Sequence, residues 1–156
     1  MKLAYILAAK PTPKGIVTVQ CGSTVQHAVD ELCAHNIGAV VVVDGQTGRM
    51  AGILTERDIL RALCSNGPLG TRDLSKVPVD DIMTRDVVCA TREDKAREVL
   101  TVMTTMHIRH MPVMEDGRLI GIISHRDVIR ALHRKSEIEF RSSCDYLGGT
   151  YGLRVY

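Results

Sequence analysis

Met50 to Leu63 reads MAGILTERDILRAL, and Leu119 to Leu132 reads LIGIISHRDVIRAL. Seven of these fourteen aligned positions are identical, and most of the others exchange one apolar or hydroxyl residue for another. Such an internal repeat constrains the fold more than composition does, because each copy must form the same supersecondary unit. Each copy passes from an apolar run through a hydroxyl residue, Thr55 or Ser124, to an acid three positions on, Asp58 or Asp127, and then into an amphipathic helix. A strand therefore delivers the chain to a capped helix twice.

The order of elements before each copy also recurs. Leu3 to Ala9 predicts a short helical arm, ended by Lys10-Pro11-Thr12-Pro13-Lys14-Gly15 because proline lacks a donor and restricts the residue before it. Ile16 to Val19 predicts a strand. Thr24 then caps a helix carrying Val25, Ala28, Val29, Leu32 and Ile37 at helical intervals, with Gly38 at its expected end. Ala39 to Val43 is a continuous β-branched run, the pattern of a strand buried on both faces. The turn Asp44 to Gly48 returns it as a hairpin through Arg49 to Leu54, and Glu56 to Leu63 closes the unit as a helix.

Residues 65 to 76 are a polar connection with Gly67, Pro68 and Gly70. The second unit follows with a strand at Val87 to Ala90 and a helix capped by Thr91 with Asp94 three positions on. A hairpin, Met111 to Met114 with Arg118 to Ile123, and a helix from His125 to Leu132 complete it. Each unit thus reads β-α-β-β-α, an α+β architecture with approximate two-fold symmetry. Units of about 60 residues are marginal alone, so the two are expected to share a core. The expected boundaries are 5–76, 77–135 and a tail of open role at 136–156, in which Ser136 to Phe140 extends the last helix.

Composition excludes several function classes. Twenty basic and eighteen acidic residues leave a net charge of +2, and aromatics make up only 3%. Neither a concentrated basic surface nor a set of stacking aromatics is available for nucleic acid. The five cysteines, Cys21, Cys33, Cys64, Cys89 and Cys144, are odd in number and widely spaced, which favours free thiols in a reducing cytoplasm over a disulfide framework. The apolar stretch Leu3 to Ala9 is too short to span a bilayer, so a soluble protein without a signal peptide is expected. The six histidines show no metal-ligand spacing with Cys or acidic partners. No segment supplies a poised nucleophile or a complete acid–base set, so an enzyme is not expected.

The hydroxyl and acid of each repeated motif have two readings. As N-cap and N3 residues they satisfy orphan backbone donors at the helix start. The same geometry also suits a ligand: helix-start N–H groups hold a phosphate, the hydroxyl adds a donor, and a carboxylate accepts both hydroxyls of a ribose. Two copies imply two similar clefts.

The pattern Gly52-Ile53-Leu54-Thr55-Glu56-Arg57-Asp58, with Gly121-Ile122-Ile123-Ser124-His125-Arg126-Asp127, resembles the closing motif of the cystathionine-β-synthase (CBS) domain. Asp81-Ile82-Met83-Thr84 and the runs Ile37 to Val43 and Arg109 to Met114 are also similar to segments of that family. The resemblance covers about residues 5 to 135 and implies a tandem pair, or Bateman module, standing alone. It further implies that AMP, ADP, ATP, NAD or S-adenosylmethionine binds between the repeats as a regulatory signal, with no catalytic cofactor, and that the module forms a homodimer.

Carried over by position, the resemblance assigns Asp58 and Asp127 to ribose, and Thr55 and Ser124 to phosphate. Arg109 and His110 become basic groups of the second unit where the first has Gly38 and Ala39, so unequal clefts are expected. Val17, Val87, Val88, Met111 and Pro112 are adenine-lining candidates, although Val or Met in such runs also reads as core, and Pro112 suits an edge or cleft position. Two other functions remain open: a ligand-independent oligomerisation or protein-interaction scaffold with an unidentified partner, and a small enzyme acting on an adenine nucleotide.

Overall fold

The computed structural model describes residues 1–10, 16–64 and 73–147, with side chains described through residue 138. The elements are α1 (Leu3–Ala9), β1 (Thr18–Gln20), α2 (Val25–His35), β2 (Ala39–Val43), β3 (Met50–Thr55) and α3 (Glu56–Leu63). After two short 3-10 turns, Leu74–Lys76 and Val79–Asp81, come β4 (Ala90–Thr91), α4 (Ala96–Thr105), β5 (His110–Glu115), β6 (Arg118–Ser124) and α5 (His125–Leu147). Two three-stranded sheets result, β1-β2-β3 and β4-β5-β6, each with a parallel first pair and an antiparallel hairpin. The expected extension of the last helix through Ser136 to Phe140 is part of the 23-residue α5. Most of the polar connection (65–72) and the end of the tail (148–156) lie outside the described residues.

The central strand β2 is buried along Ala39 to Val42, as its β-branched run requires. Its partner in the second sheet carries Pro112, which sits on the central strand rather than an edge and pairs with Ile122. This proline shortens β4. In the first sheet Val41 N–H reaches Val17 O at 3.5 Å, whereas Pro112, at the matching position, has no N–H to donate. Pairing of β4 with β5 starts only at Ala90 and Val113, so the expected strand from Val87 is reduced to two residues.

Two helix ends also differ from expectation. The helix α2 stops at His35, ahead of Gly38, because Asn36 takes the left-handed position at φ 50°, which asparagine tolerates better than most residues. Thr91 does not cap α4. Its N–H donates to Asp94 Oδ2 at 2.6 Å in a turn, and α4 begins at Ala96 after Lys95, which makes no side-chain cap. Ala96 N–H is satisfied instead by Met1 O at 3.0 Å.

That contact belongs to a crossed arrangement. The N-terminal segment precedes the first repeat but packs on the second: Leu3 and Ile6 are buried with Val99, Met103, Met111, Ile123 and Val128. The linker precedes the second repeat but packs on the first, with Val77, Val79 and Met83 in the first core. The two segments match at three positions. Ala96 N–H to Met1 O corresponds to Val25 N–H to Val77 O, and Leu3 N–H to Asp94 O corresponds to Val79 N–H to Ser23 O. Leu7 lies over Gly121 and Met83 over Gly52, each where a side chain would otherwise stand. Burying a residue such as Leu3 or Ile6 contributes about 1.5–3 kcal/mol, so the exchange fastens the repeats to one another.

Candidate functional site

The two motif copies form helix caps of the same design. Asp58 Oδ2 accepts from Thr55 N–H at 2.9 Å and from its hydroxyl at 2.6 Å, while Asp58 N–H donates to Thr55 Oγ1 at 3.3 Å. In the second copy Asp127 Oδ2 accepts from Ser124 N–H at 2.8 Å, and Asp127 N–H donates to Ser124 Oγ at 3.1 Å. The capping reading is therefore realised in both copies. All four side chains remain only half-buried, so the caps leave the acids open to a second partner.

Strand pairing ties these caps to the residues before the central strands. Ala39 faces Thr55, and His110 faces Ser124. Glu56 N–H donates to Gly38 O at 3.2 Å, and His125 N–H donates to Arg109 O at 2.8 Å. The basic pair Arg109-His110 is thereby placed at the mouth of the second motif, with Gly38-Ala39 at the equivalent place in the first.

His110 also joins the repeats. A side-chain carbon built at Gly38 would lie 3.0 Å from His110 Cε1, 3.2 Å from Nε2 and 3.4 Å from Glu56 Oε2. His110 Nδ1 is buried with no hydrogen-bond partner among the described residues. Burial, and then the charge of Arg109, hold the imidazole pKa below its ordinary value; Lys10 acts in the same direction, while Glu56 and Asp127 oppose it. The ring is thus neutral near pH 7, with an unmet polar atom facing the interior.

Lys10 is the site residue that sequence reasoning missed. Its Nζ lies 2.8 Å from Asp127 Oδ2 and 2.7 Å from Ile122 O. Burial alone would raise the Asp127 pKa, but the Lys10 hydrogen bond, the Ser124 N–H and hydroxyl, and the Lys10 charge together hold it below the usual carboxylate value.

The remaining candidates occupy varied surroundings. Val17 is partly buried against the first core and Val88 against the second, and Val87 is partly buried. Met111 is 1% exposed and packs in the second core; Pro112 is buried too. A separate concavity of about 800 Å³ opens near the hairpin turns, between Val43, Arg49 and Met50 on one side and Met114, Arg118 and Leu119 on the other. It contains none of the motif side chains, and the capped acids define the chemistry better than this opening does. Among the described residues no three His, Cys, Asp or Glu side chains group to hold a metal ion, and no helix is long and apolar enough to cross a membrane.

Two β-α-β-β-α repeats, fastened by crossed segments and each ending in a hydroxyl–acid cap, define a tandem-domain module. The chain belongs to the CBS domain family, whose model matches residues 12–65 and 79–134. It is 38% identical over 131 residues to the mitochondrial CBS domain-containing protein CBSX3 of Arabidopsis thaliana, covering 82% of this chain and 62% of that protein. The fold superimposes on the CBS-domain protein ATU1752 from Agrobacterium tumefaciens with a TM-score of 0.75, at 37% identity, covering 84% of this chain and 98% of that one. It also matches the CBS domain pair of protein MJ0100, solved in complex with 5′-methylthioadenosine and S-adenosyl-L-methionine, at a TM-score of 0.71 and 29% identity over 86% of this chain and 98% of that one.

Proposed function

We propose that this chain is a regulatory module that binds an adenosine-containing ligand between its repeats. Asp58 and Asp127 accept ribose hydroxyls, and Thr55 and Ser124 face the phosphate. Arg109 makes the second cleft the stronger anion site, with His110 beside it as a neutral imidazole, while Val17, Val87 and Val88, backed by Met111 and Pro112, flank the base. The observation that carries this reading is the pair of half-buried caps, in each of which the acid accepts from the backbone N–H of the hydroxyl residue and stays partly exposed. The adenosine compounds bound by the related MJ0100 domain pair support it. The preferred compound among AMP, ADP, ATP, NAD and S-adenosylmethionine is the question that the experiment answers.

The module acts by binding rather than by catalysis, and its output is a change in affinity for a protein partner, which requires two states with different ligand affinities. A homodimer is part of the proposal. Leu60 on α3 is 67% exposed, and Ile129, its counterpart on α5, is 46% exposed, giving equivalent apolar positions on two outward helices. Among the described residues Cys21, Cys33, Cys64 and Cys89 are free thiols, which accords with the proposed reducing cytoplasm.

Ligand-linked stabilisation tests the proposal. A compound that binds only the folded protein adds about 2.7 kcal/mol at one hundred times its dissociation constant. Thermal unfolding of ligand-stripped protein with each of the five compounds is expected to shift upward for at least one. Absence of a shift with all five, at millimolar concentration, contradicts it.

A further inference from the structure

Alternation along the strands gives each sheet two faces. Val40 and Val42 belong to the first core, and Met111 and Val113 to the second, so Val41 and Val43, and likewise Met114, stand on the opposite faces. Toward the caps the outer face of the first sheet is covered, since Val41 is fully buried although it belongs to neither core. At the hairpin end it is open. Val43 with its pair Met50, and Met114 with its pair Leu119, are only half-buried and line the concavity of about 800 Å³ between the two hairpins. These four apolar side chains also belong to neither core.

Two cations stand at the rim. Arg49 precedes Met50 and Arg118 precedes Leu119, so the two arginines hold equivalent positions in the repeats. Both line the concavity and both are exposed. Among the described residues neither guanidinium is held by a hydrogen bond or an ion pair. Asp116 is the one acid among the described lining residues, which leaves the lining with a net positive charge.

A guanidinium presents a planar donor fork to a carboxylate, sulfonate or phosphate, and pockets of about 300–1,000 Å³ take organic ligands of drug size. An apolar floor between two such forks fits an organic anion with a flat apolar body and an anionic group toward each end. An inorganic ion would leave the floor exposed, and a neutral apolar molecule would leave both arginines unmatched.

We propose that the concavity between the hairpins is a further binding site, separate from the capped clefts, for an amphipathic organic dianion held by Arg49 and Arg118. Its occupant touches both repeats at the strand ends farthest from Thr55 and Ser124, and so bridges them. The site uses none of the cap residues and does not rest on the adenosine reading.

The probe is dianilinobinaphthyl disulfonate, a two-fold aromatic disulfonate, titrated into the full chain by calorimetry. Saturable binding of one probe per chain is expected. Arg49→Gln/Arg118→Gln, shown to be folded by thermal unfolding, is expected to weaken binding about tenfold or more. Asp116→Asn, which removes the opposing acid, is expected to tighten it about threefold, and Asp58→Asn/Asp127→Asn to leave it within about twofold. An arginine variant that binds like the native chain, an equal loss in the cap variant, or no saturable binding at one probe per chain overturns the proposal. Binding at the caps is read separately with the adenosine compounds, and its failure leaves this site standing.

Discussion

The imidazole of His110 occupies the space that a side chain at Gly38 would need, with Cε1 only 3.0 Å from the position of a Cβ there. The absence of a side chain in one repeat thus makes room for a basic side chain from the other. Gly38→Ala forces His110 or the backbone to yield by a few tenths of an ångström, and overpacking of this kind costs about 1 kcal/mol or more. Urea denaturation of Gly38→Ala should show that loss, and most of it should vanish in a His110→Ala background because the two sites are coupled. Simple additivity of the two changes would contradict the contact.

The protonation of His110 gives a second prediction. Its pKa is lowered by burial and by Arg109, so the unfolded chain binds a proton at this residue more readily than the folded one. The stabilisation is fully present above the ordinary histidine value of about 6.5 and is lost as pH falls through the lower folded value. An NMR titration should place the midpoint of the His110 ring below about 6.5. Asp127, also lowered, contributes stability above the ordinary carboxylate value and loses it at still more acidic pH. A His110 midpoint at or above the ordinary value contradicts the account.

The glycines under the crossed segments should respond unequally. A Cβ at Gly52 would meet Thr84 O at 2.7 Å and Met83 Sδ at 2.8 Å, whereas one at Gly121 meets Leu7 Cδ2 at 2.7 Å and no backbone atom. A leucine side chain can turn aside; a paired backbone carbonyl cannot, since Thr84 O accepts from Ile53 N–H at 2.9 Å. Gly52→Ala should therefore cost about 2 kcal/mol or more and Gly121→Ala distinctly less, as read from chemical denaturation. Equal losses would mean that the two segments are not held as described.

The caps make a prediction independent of any ligand. Thr55→Ala and Ser124→Ala each remove a side-chain acceptor from a helix start, at a cost of about 1 kcal/mol. Both variants should lose that much in denaturation without ligand. A change below a few tenths of a kcal/mol in either would show that its cap contributes little to folding.

Much of this molecule is local and hence readable along the chain. The bounds of α3 follow from Thr55 and the apolar spacing after it, and Thr24 caps α2 by accepting from His27 N–H at 3.1 Å. What escaped reading depends on residues distant in sequence. The start of α4 is set by the carbonyl of Met1 rather than by Thr91, the local capping candidate. The short β4 follows from Pro112 on a neighbouring strand. Lys10 follows a helical stretch and precedes prolines, and nothing in that context signals a carboxylate in the second repeat. The order of elements and the motif acids were legible, whereas the crossed segments and the Lys10–Asp127 pair required the fold.

The central claim is that the capped acid of the second repeat holds an adenosine ligand. Calorimetric titration of AMP into ligand-stripped protein, in the Asp58→Asn form and the Asp58→Asn/Asp127→Asn form, tests it most directly. Asparagine retains the size and N-terminal position of the acid while removing its charge. The account predicts saturable binding in the first protein and a loss of tenfold or more, about 1.4 kcal/mol, in the second. Equal affinity in both proteins, or no binding in the first, contradicts it.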